Sequence, residues 1–250
     1  MKLGVITAIH NREDMTIAFL YAMNRLRVVC DVELFVAVTH GDASIKHLDD
    51  YKFSYTESIN FPLGNKWNTA TEMVRDSDVT HVMILGSDDI PSTEFIENAI
   101  SSLGEYDISG VDGIWFWGLN PRRAGFEKFG FFPVKVMMGC GKILSRKVLE
   151  ACDYRPWPED CNYGMDAKMM QRVRTVSKQK GIGHTEHKYS LKEKDGFIVD
   201  IKYETHISSM SPILRRPQFD EQDVYKVLPH YLPEDECDYL FSLQRKANDR

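Results

Sequence analysis

Residues 81–91 read HVMILGSDDIP, and no other stretch limits the fold so strongly. Val82, Met83, Ile84 and Leu85 are consecutive and apolar with no polar alternation, the pattern of a strand buried on both faces. The run stops at Gly86, Ser87, Asp88 and Asp89, and Pro91, which has no amide hydrogen to donate, ends the pairing. Ionised aspartates are rarely buried without a partner, so two readings stand open. Either the pair caps a helix expected over residues 92–103, or it holds a cation at the carboxyl edge of a sheet, where open α/β folds bind their ligands.

A strand buried on both faces needs a layer on each side of it, and the preceding sequence supplies the parts. Residues 3–9 are a β-rich apolar run broken by His10, Asn11 and Arg12. Asp14 can cap a helix over residues 15–26, and residues 32–38 form the next strand, ending in Thr39, His40, Gly41 and Asp42. Strand, helix, strand, with a polar loop after each strand, is the βαβ pattern; it implies a parallel sheet with its ligand loops on one edge. A shorter strand at 51–55, a turn at 62–64 and a helix over 65–76 lead to the 82–85 strand.

Beyond Asp107 the pattern becomes strand-like without regular helices between, at 108–111, 114–117 and 134–138, which predicts antiparallel additions to the sheet. Residues 120–133, NPRRAGFEKFGFFP, read as a loop or lid. Helices follow over 145–152 and 165–176, then a polar, mobile stretch at 178–194, a late strand at 197–201 and a loop at 202–211. The tail carries one amphipathic helix over 233–247. The expectation is an α/β fold with a mostly parallel mixed sheet flanked by helices, over residues 1–214, and a short C-terminal helical extension over 215–250.

Composition excludes several classes. A net charge of −6 and a pI near 5.8 leave no general basic footprint for nucleic acid or an anionic membrane. No apolar run approaches the roughly 18 residues of a membrane span, and the first strand turns polar too soon for a signal peptide, so a cytoplasmic protein is expected. The five cysteines are odd in number and widely spaced, with no C-x-x-C pair, which predicts reduced thiols rather than a disulfide framework or a structural zinc site.

Together these stretches resemble the family 2 type glycosyltransferases of the GT-A fold. VITAIHNRED is similar to that family's first strand and nucleoside-gripping loop, and PLGNKWNTATEMV to its segment opening a helix near the diphosphate. Asp88 falls where the family's DxD motif places a metal-binding Asp, although Gly86 stands where the first Asp is usual. GMDAKMMQRV resembles the segment holding the catalytic base, with Asp166 as that base and Arg172 six residues on, although Met165 replaces the usual Glu. The resemblance covers residues 3–210.

It implies a metal-dependent, inverting transferase that takes a sugar from a nucleotide-sugar, a UDP-sugar being the expected donor, to an acceptor hydroxyl on a glycan or other molecule. Mn²⁺ or Mg²⁺ would be held by Asp88 and Asp89, with His206 as a third ligand. Thr7, Ala8, His10, Asn11 and Asp42 would surround the base and ribose. Arg12, Lys66 and Asn68 would face the diphosphate, with Ser87 beside Asp88. A carboxylate in the place of Asp166 can take the acceptor proton, and Glu159 and Asp160, a literal Glu-Asp pair, compete for that role.

Other readings stay open beside it. A nucleotidyltransferase shares the sheet and the metal carboxylates, but the TAIHNRED loop lacks the Gly-rich basic pattern that holds a triphosphate. The missing motif residues also fit a non-catalytic nucleotide- or glycan-binding module. A modified DNA base as acceptor would need a local basic groove around Arg122, Arg123, Lys128 and Lys135, against the acidic balance of the chain. His184 and His187 lie in a polar stretch and read as solvated surface. Trp115 and Trp117 share one strand face, as core or as a pocket wall that could stack on an acceptor.

Overall fold

The computed structural model describes residues 1–119, 128–134, 137–189, 191, 196–202 and 218–248. In chain order the strands are β1 Leu3–Ile9, β2 Glu33–Thr39, β3 Ser54–Ser58, β4 His81–Ile84, β5 Asp89–Pro91, β6 Ile108–Val111, β7 Gly113–Gly118, β8 Phe129–Pro133, β9 Lys142–Ser145, β10 Glu186–Tyr189, β11 Ile198–Lys202 and β12 Asp220–Glu221. The α-helices are α1 Glu13–Cys30, α2 Ile45–Tyr51, α3 Leu63–Glu72, α4 Thr93–Ser101, α5 Arg146–Ala151, α6 Met165–Gln179, α7 Val224–Val227 and α8 Glu234–Asn248.

The main sheet has the order β10-β6-β9-β4-β1-β2-β3, and every neighbouring pair is parallel except those made by β9. From β1 the chain first moves outward through β2 to β3 and then returns to lay β4 on the other side of β1. That reversal opens a crevice at the carboxyl ends of β1 and β4, the place where such sheets bind ligands.

Alternate residues of each strand enter different layers. Val5 and Ile9 of β1, Val36 of β2 and Met83 of β4 pack with α1, α4 and α8 on one face. Ile6, Phe35, Val82 and Ile84 pack with α3, α5 and α6 on the other. All four residues of β4 are buried for this reason. A second sheet, β12-β8-β7-β11-β5, grows from the end of the first, because only four residues separate β4 from β5.

The α/β architecture and its C-terminal helix agree with the sequence pattern, and several details differ. Residues 51–55 are not one strand: α2 ends at Tyr51 and β3 begins at Ser54. Only Leu48 of α2 is buried, so the helix leaves no apolar stripe to read. The strand expected at 134–138 lies earlier, as β8, where Phe129 and Phe131 join the main core and Phe132 turns to a smaller cluster. A segment with the composition of a lid is therefore partly core. The polar stretch 178–194 contains β10, an edge strand whose charged residues hide its pattern.

Asp14 does not cap α1. Arg12 stands at the cap, and Asp14 lies in the first turn, bound by Lys246 of α8 at 2.7 Å. The C-terminal helix is tied down further by Arg25 of α1, whose guanidinium donates to both carboxylate oxygens of Glu236, at 2.6 and 3.2 Å. No described helix is long and apolar enough to cross a membrane.

Candidate functional site

The backbone bends sharply where β1 ends. Asn11 takes a left-handed conformation with φ of 48°, which Asn tolerates better than most residues, and the Asp42 carboxylate holds its amide at 2.7 Å. The other Asp42 oxygen accepts from the Ser44 amide at 2.9 Å. Asp42 thus braces the loop from beneath, and the bend sends Arg12 towards β4, where its Nη1 lies 3.2 Å from Asp88 Oδ2.

Between this loop, the start of α3 and residues 86–88 lies a cleft of about 430 Å³ at the carboxyl ends of β1 and β4. Ala8, His10, Asn11, Arg12, Lys66, Ser87 and Asp88 line it, together with Asn60, Leu63 and Trp67. Three residues expected there do not line it, and one of them is Asp42, which lies beneath the loop. Thr7 is fully buried inside β1. Asn68 points the other way, its amide donating to Trp157 O at 3.0 Å and accepting from Trp157 N at 3.1 Å.

Lys66 lines the cleft, and its ammonium is bonded within the protein. Only 1% exposed, its ammonium donates to Ile9 O at 2.5 Å, Thr39 Oγ1 at 2.6 Å and Asn60 Oδ1 at 3.2 Å. All three of its donors are used, and they tie the ends of β1 and β2 to the cleft wall. Burial pushes its pKa down to about 8, against the attraction of Asp42. Burial and the nearby Lys66 charge also lower the pKa of His10.

At the floor of the cleft the chain turns from β4 into β5. Asp89 Oδ2 accepts from Gly86 N at 2.5 Å and Asp89 N donates to Gly86 O at 3.1 Å, closing a tight turn over Ser87 and Asp88. Helix α4 is capped by Ser92, whose Oγ accepts from Phe95 N at 3.2 Å. The two aspartates are not its cap.

They meet a third carboxylate instead. β11 runs antiparallel to β5 and sets Asp200 directly opposite Asp89, and oxygens of Asp88, Asp89 and Asp200 all lie within 4.8 Å of one another. All three residues are less than 9% exposed. Burial, reinforced by the charges of Asp200 and Asp88, raises the pKa of Asp89 well above the usual carboxylate range, and burial lifts Asp200 to about 6. Three hard oxygen donors that repel one another fit a magnesium- or manganese-type ion. Asp200 was unassigned by sequence, though an Asp inside the apolar run IVDI was a visible anomaly. Among the described residues two cations border the group, Arg12 on Asp88 and Lys202, whose Nζ lies 2.5 Å from Asp200 Oδ1 and 3.2 Å from Asp88 Oδ2.

Gly86, which stands in place of an expected Asp, has a steric reason. A Cβ there would come within 2.6 Å of Asp88 Oδ1 and 3.1 Å of Asp89 Oδ2. The third carboxylate of the group comes instead from the facing strand, as Asp200.

Asp166 lies in the first turn of α6, exposed, and its Oδ2 accepts from Gly139 N at 2.8 Å. A side chain at 139 would overlap that carboxylate. Across the same turn Gly141 N donates to Ile84 O at 2.9 Å, while Cys140 reaches Asp89; burial, then the charges of Asp89 and Asp200, raise the thiol pKa. Residues 139–141 therefore join Asp166 to the acidic group. Glu159 pairs with Arg155 at 3.0 Å on the surface. Asp160 and Arg172 border a separate hollow on α6, and Arg172 Nε donates to Arg155 O at 2.9 Å.

The remaining sequence candidates fall elsewhere. His206, Arg122, Arg123 and Lys135 lie outside the described residues. Lys128 is paired with Glu221, so it adds no open charge to a basic groove. His184 lies 3.2 Å from Glu186, and His187 stacks on Tyr106. Trp117 is core, edge-on to Phe129 and Phe241, and Trp115 stacks on Phe129.

No protein-family model and no curated protein sequence matches the chain. Solved structures do. TarS 1-349 of S. aureus in complex with UDP-GlcNAc superposes with a TM-score of 0.57 at 16% identity, over 82% of this chain and 60% of that one. The mannosyltransferase PcManGT from Pyrobaculum calidifontis, in complex with GDP-Man and Mn²⁺, gives 0.54 at 14% identity over 86% and 60%. Glucosyl-3-phosphoglycerate synthase from Mycobacterium tuberculosis, in complex with Mn²⁺, UDP and phosphoglyceric acid, gives 0.50 at 12% identity over 85% and 73%. The chain thus spans about 60% of the length of the first two. At these identities the likeness is one of fold: the chain has a GT-A-like, Rossmann-like α/β fold.

Proposed function

We propose that this protein is a metal-dependent glycosyltransferase of the family 2 type, moving a sugar from a nucleotide-sugar, with a UDP-sugar as the expected donor, to an acceptor hydroxyl with inversion. One observation carries the reading. Asp88, which lines the switch-point cleft, converges with Asp89 and Asp200, and the turn at 139–141 links Asp166 to the group through Gly139 and Cys140. Support also comes from the ligands of the solved structures that share the fold, which are nucleotides or nucleotide-sugars, two of them with Mn²⁺.

In this reading the nucleoside occupies the cleft between Asn11, Leu63 and Trp67, and its diphosphate extends towards Arg12 and Asp88. A divalent ion on the three carboxylates would neutralise the charge that grows on the leaving phosphate oxygen. Asp166, exposed and oriented by Gly139, takes the proton of the acceptor hydroxyl as that oxygen bonds to the anomeric carbon. The bond from that carbon to the phosphate oxygen breaks on the opposite face, and the configuration inverts.

UDP should raise the melting temperature in the presence of Mn²⁺ and much less with EDTA, and a UDP-sugar should be turned over. Asp166→Asn should keep the thermal shift and lose turnover by about 100-fold or more. The absence of a Mn²⁺-dependent shift with UDP, GDP or any other nucleoside diphosphate would sink the reading. Binding with no turnover over a wide acceptor screen would make the protein a nucleotide-binding module.

A further inference from the structure

We infer that Lys202 is a tethered counter-ion for the acidic group and yields its place to the divalent cation only when the diphosphate arrives. The inference rests on the metal-dependent reading above and adds to it a residue that couples the two ligands.

The geometry places the ammonium where an ion would stand. Asp200 and Lys202 are two residues apart on β11 and so share a face, and Nζ reaches both Asp200 Oδ1, at 2.5 Å, and Asp88 Oδ2, at 3.2 Å. A magnesium-sized ion sits about 2.1 Å from each oxygen ligand. An ion bridging Asp88 and Asp200 would overlap the volume that Nζ fills, and like charge would oppose it as well. Ion and ammonium are alternatives at these oxygens.

The backbone of Lys202 is fixed, since it pairs with Gly118 of β7 and its carbonyl accepts from Leu119 N at 2.9 Å. Only the side chain can give way, and a four-carbon stem lets Nζ swing several ångströms without moving β11. In the absence of nucleotide, leaving the carboxylates exchanges two short ion pairs for water. With a diphosphate in the cleft, the ammonium exchanges them for phosphate oxygens, and the vacated carboxylates accept the ion. Metal and nucleotide therefore bind cooperatively, and by linkage each tightens the other by the same factor.

Mn²⁺ binding, followed by electron paramagnetic resonance with and without UDP, tests this without any turnover. The wild-type protein should bind Mn²⁺ weakly alone and at least about tenfold more tightly with UDP. Lys202→Met should bind Mn²⁺ alone about tenfold more tightly than wild type and gain less from UDP, because no ammonium has to be displaced. Lys202→Arg, which keeps the charge, should stay near wild type. Lys202→Gln provides the same test with a polar head if the Met variant fails to fold.

If wild type binds Mn²⁺ with UDP but neither neutral variant binds Mn²⁺ alone more tightly, Lys202 is no counter-ion and the metal reading survives. If wild type binds no Mn²⁺ with or without UDP, the metal reading falls and the inference falls with it.

Discussion

Asp200 faces Asp89 across the antiparallel β5–β11 pair, so two carboxylates from distant parts of the chain are fixed by strand register in one buried group. Register leaves little freedom: a slip of one residue in β11 would turn Asp200 to the other face of the sheet. Asp200→Asn should therefore behave as a ligand variant. It is expected to weaken Mn²⁺ binding in the presence of UDP by about tenfold or more, with the far-ultraviolet circular dichroism unchanged. Mn²⁺ affinity equal to that of wild type would remove Asp200 from the group.

Gly86 provides a converse test. Replacing it by Asp would restore the missing residue of the DxD pattern, yet the added Cβ would press on Asp88 and Asp89. Gly86→Asp is expected to weaken Mn²⁺ binding and to cost about 1–3 kcal/mol of stability by overpacking, both measurable by titration and chemical denaturation. A gain in metal affinity would show that the turn has room for a carboxylate.

Gly139→Ala should act on Asp166 at one remove. Because the new methyl group overlaps the carboxylate, kcat should fall towards the Asp166→Asn value while the UDP-induced thermal shift is kept. Wild-type kcat in Gly139→Ala would mean that the Gly139 amide does not set the position of the base.

Lys66 gives stability a pH dependence with a definite sign. Its folded pKa, about 8, lies below the unfolded value of 10.5, so the unfolded chain binds the proton more tightly. The cost of burying the charged ammonium is complete below pH 8 and is relieved as pH rises towards 10.5. Unfolding free energy relative to Lys66→Met should therefore increase over that interval, at a limiting slope of about 1.4 kcal/mol per pH unit. Denaturant melts of both proteins at about pH 7, 8, 9 and 10 check this, and a flat difference would refute it.

Arg25 is the tie between α1 and the C-terminal helix. Its guanidinium bonds both oxygens of Glu236, which is 4% exposed, and also reaches Pro91 O at 3.2 Å. Removing one partner of a buried pair leaves the other charge uncompensated, and Arg25→Met should cost about 3 kcal/mol or more. Hydrogen exchange should localise the loss to residues 234–248 and to β5, and unchanged protection there would argue against the tie.

What sequence could reveal followed from local pattern. The strand 82–85 and its terminal carboxylates were legible because an uninterrupted apolar run that ends in Asp-Asp-Ile-Pro fits little besides a buried strand feeding a polar loop. Asp200 was hidden because its significance depends on which strand lies opposite, and the β5–β11 pairing leaves no trace in either segment. Lys66 shows the opposite limit: its position beside the cleft was legible, but whether its charge faces ligand or backbone depends on a carbonyl and a hydroxyl from two other strands. β8 was missed because glycine and phenylalanine in alternation beside arginines have the composition of a lid, and only packing shows Phe129 and Phe131 as core.

The attachment of α8 to α1 also bears on how the chain matures. Tyr21 hydrogen-bonds Asp235, 214 residues away, and Leu240 and Leu243 complete the apolar core that begins with Phe19 and Met23. During synthesis, at about 5–20 residues per second, the first helix emerges early and part of its apolar flank waits roughly ten seconds or more for its cover. Until residues 234–248 follow, the flank of α1 that they cover stays open, a sticky surface on the nascent chain.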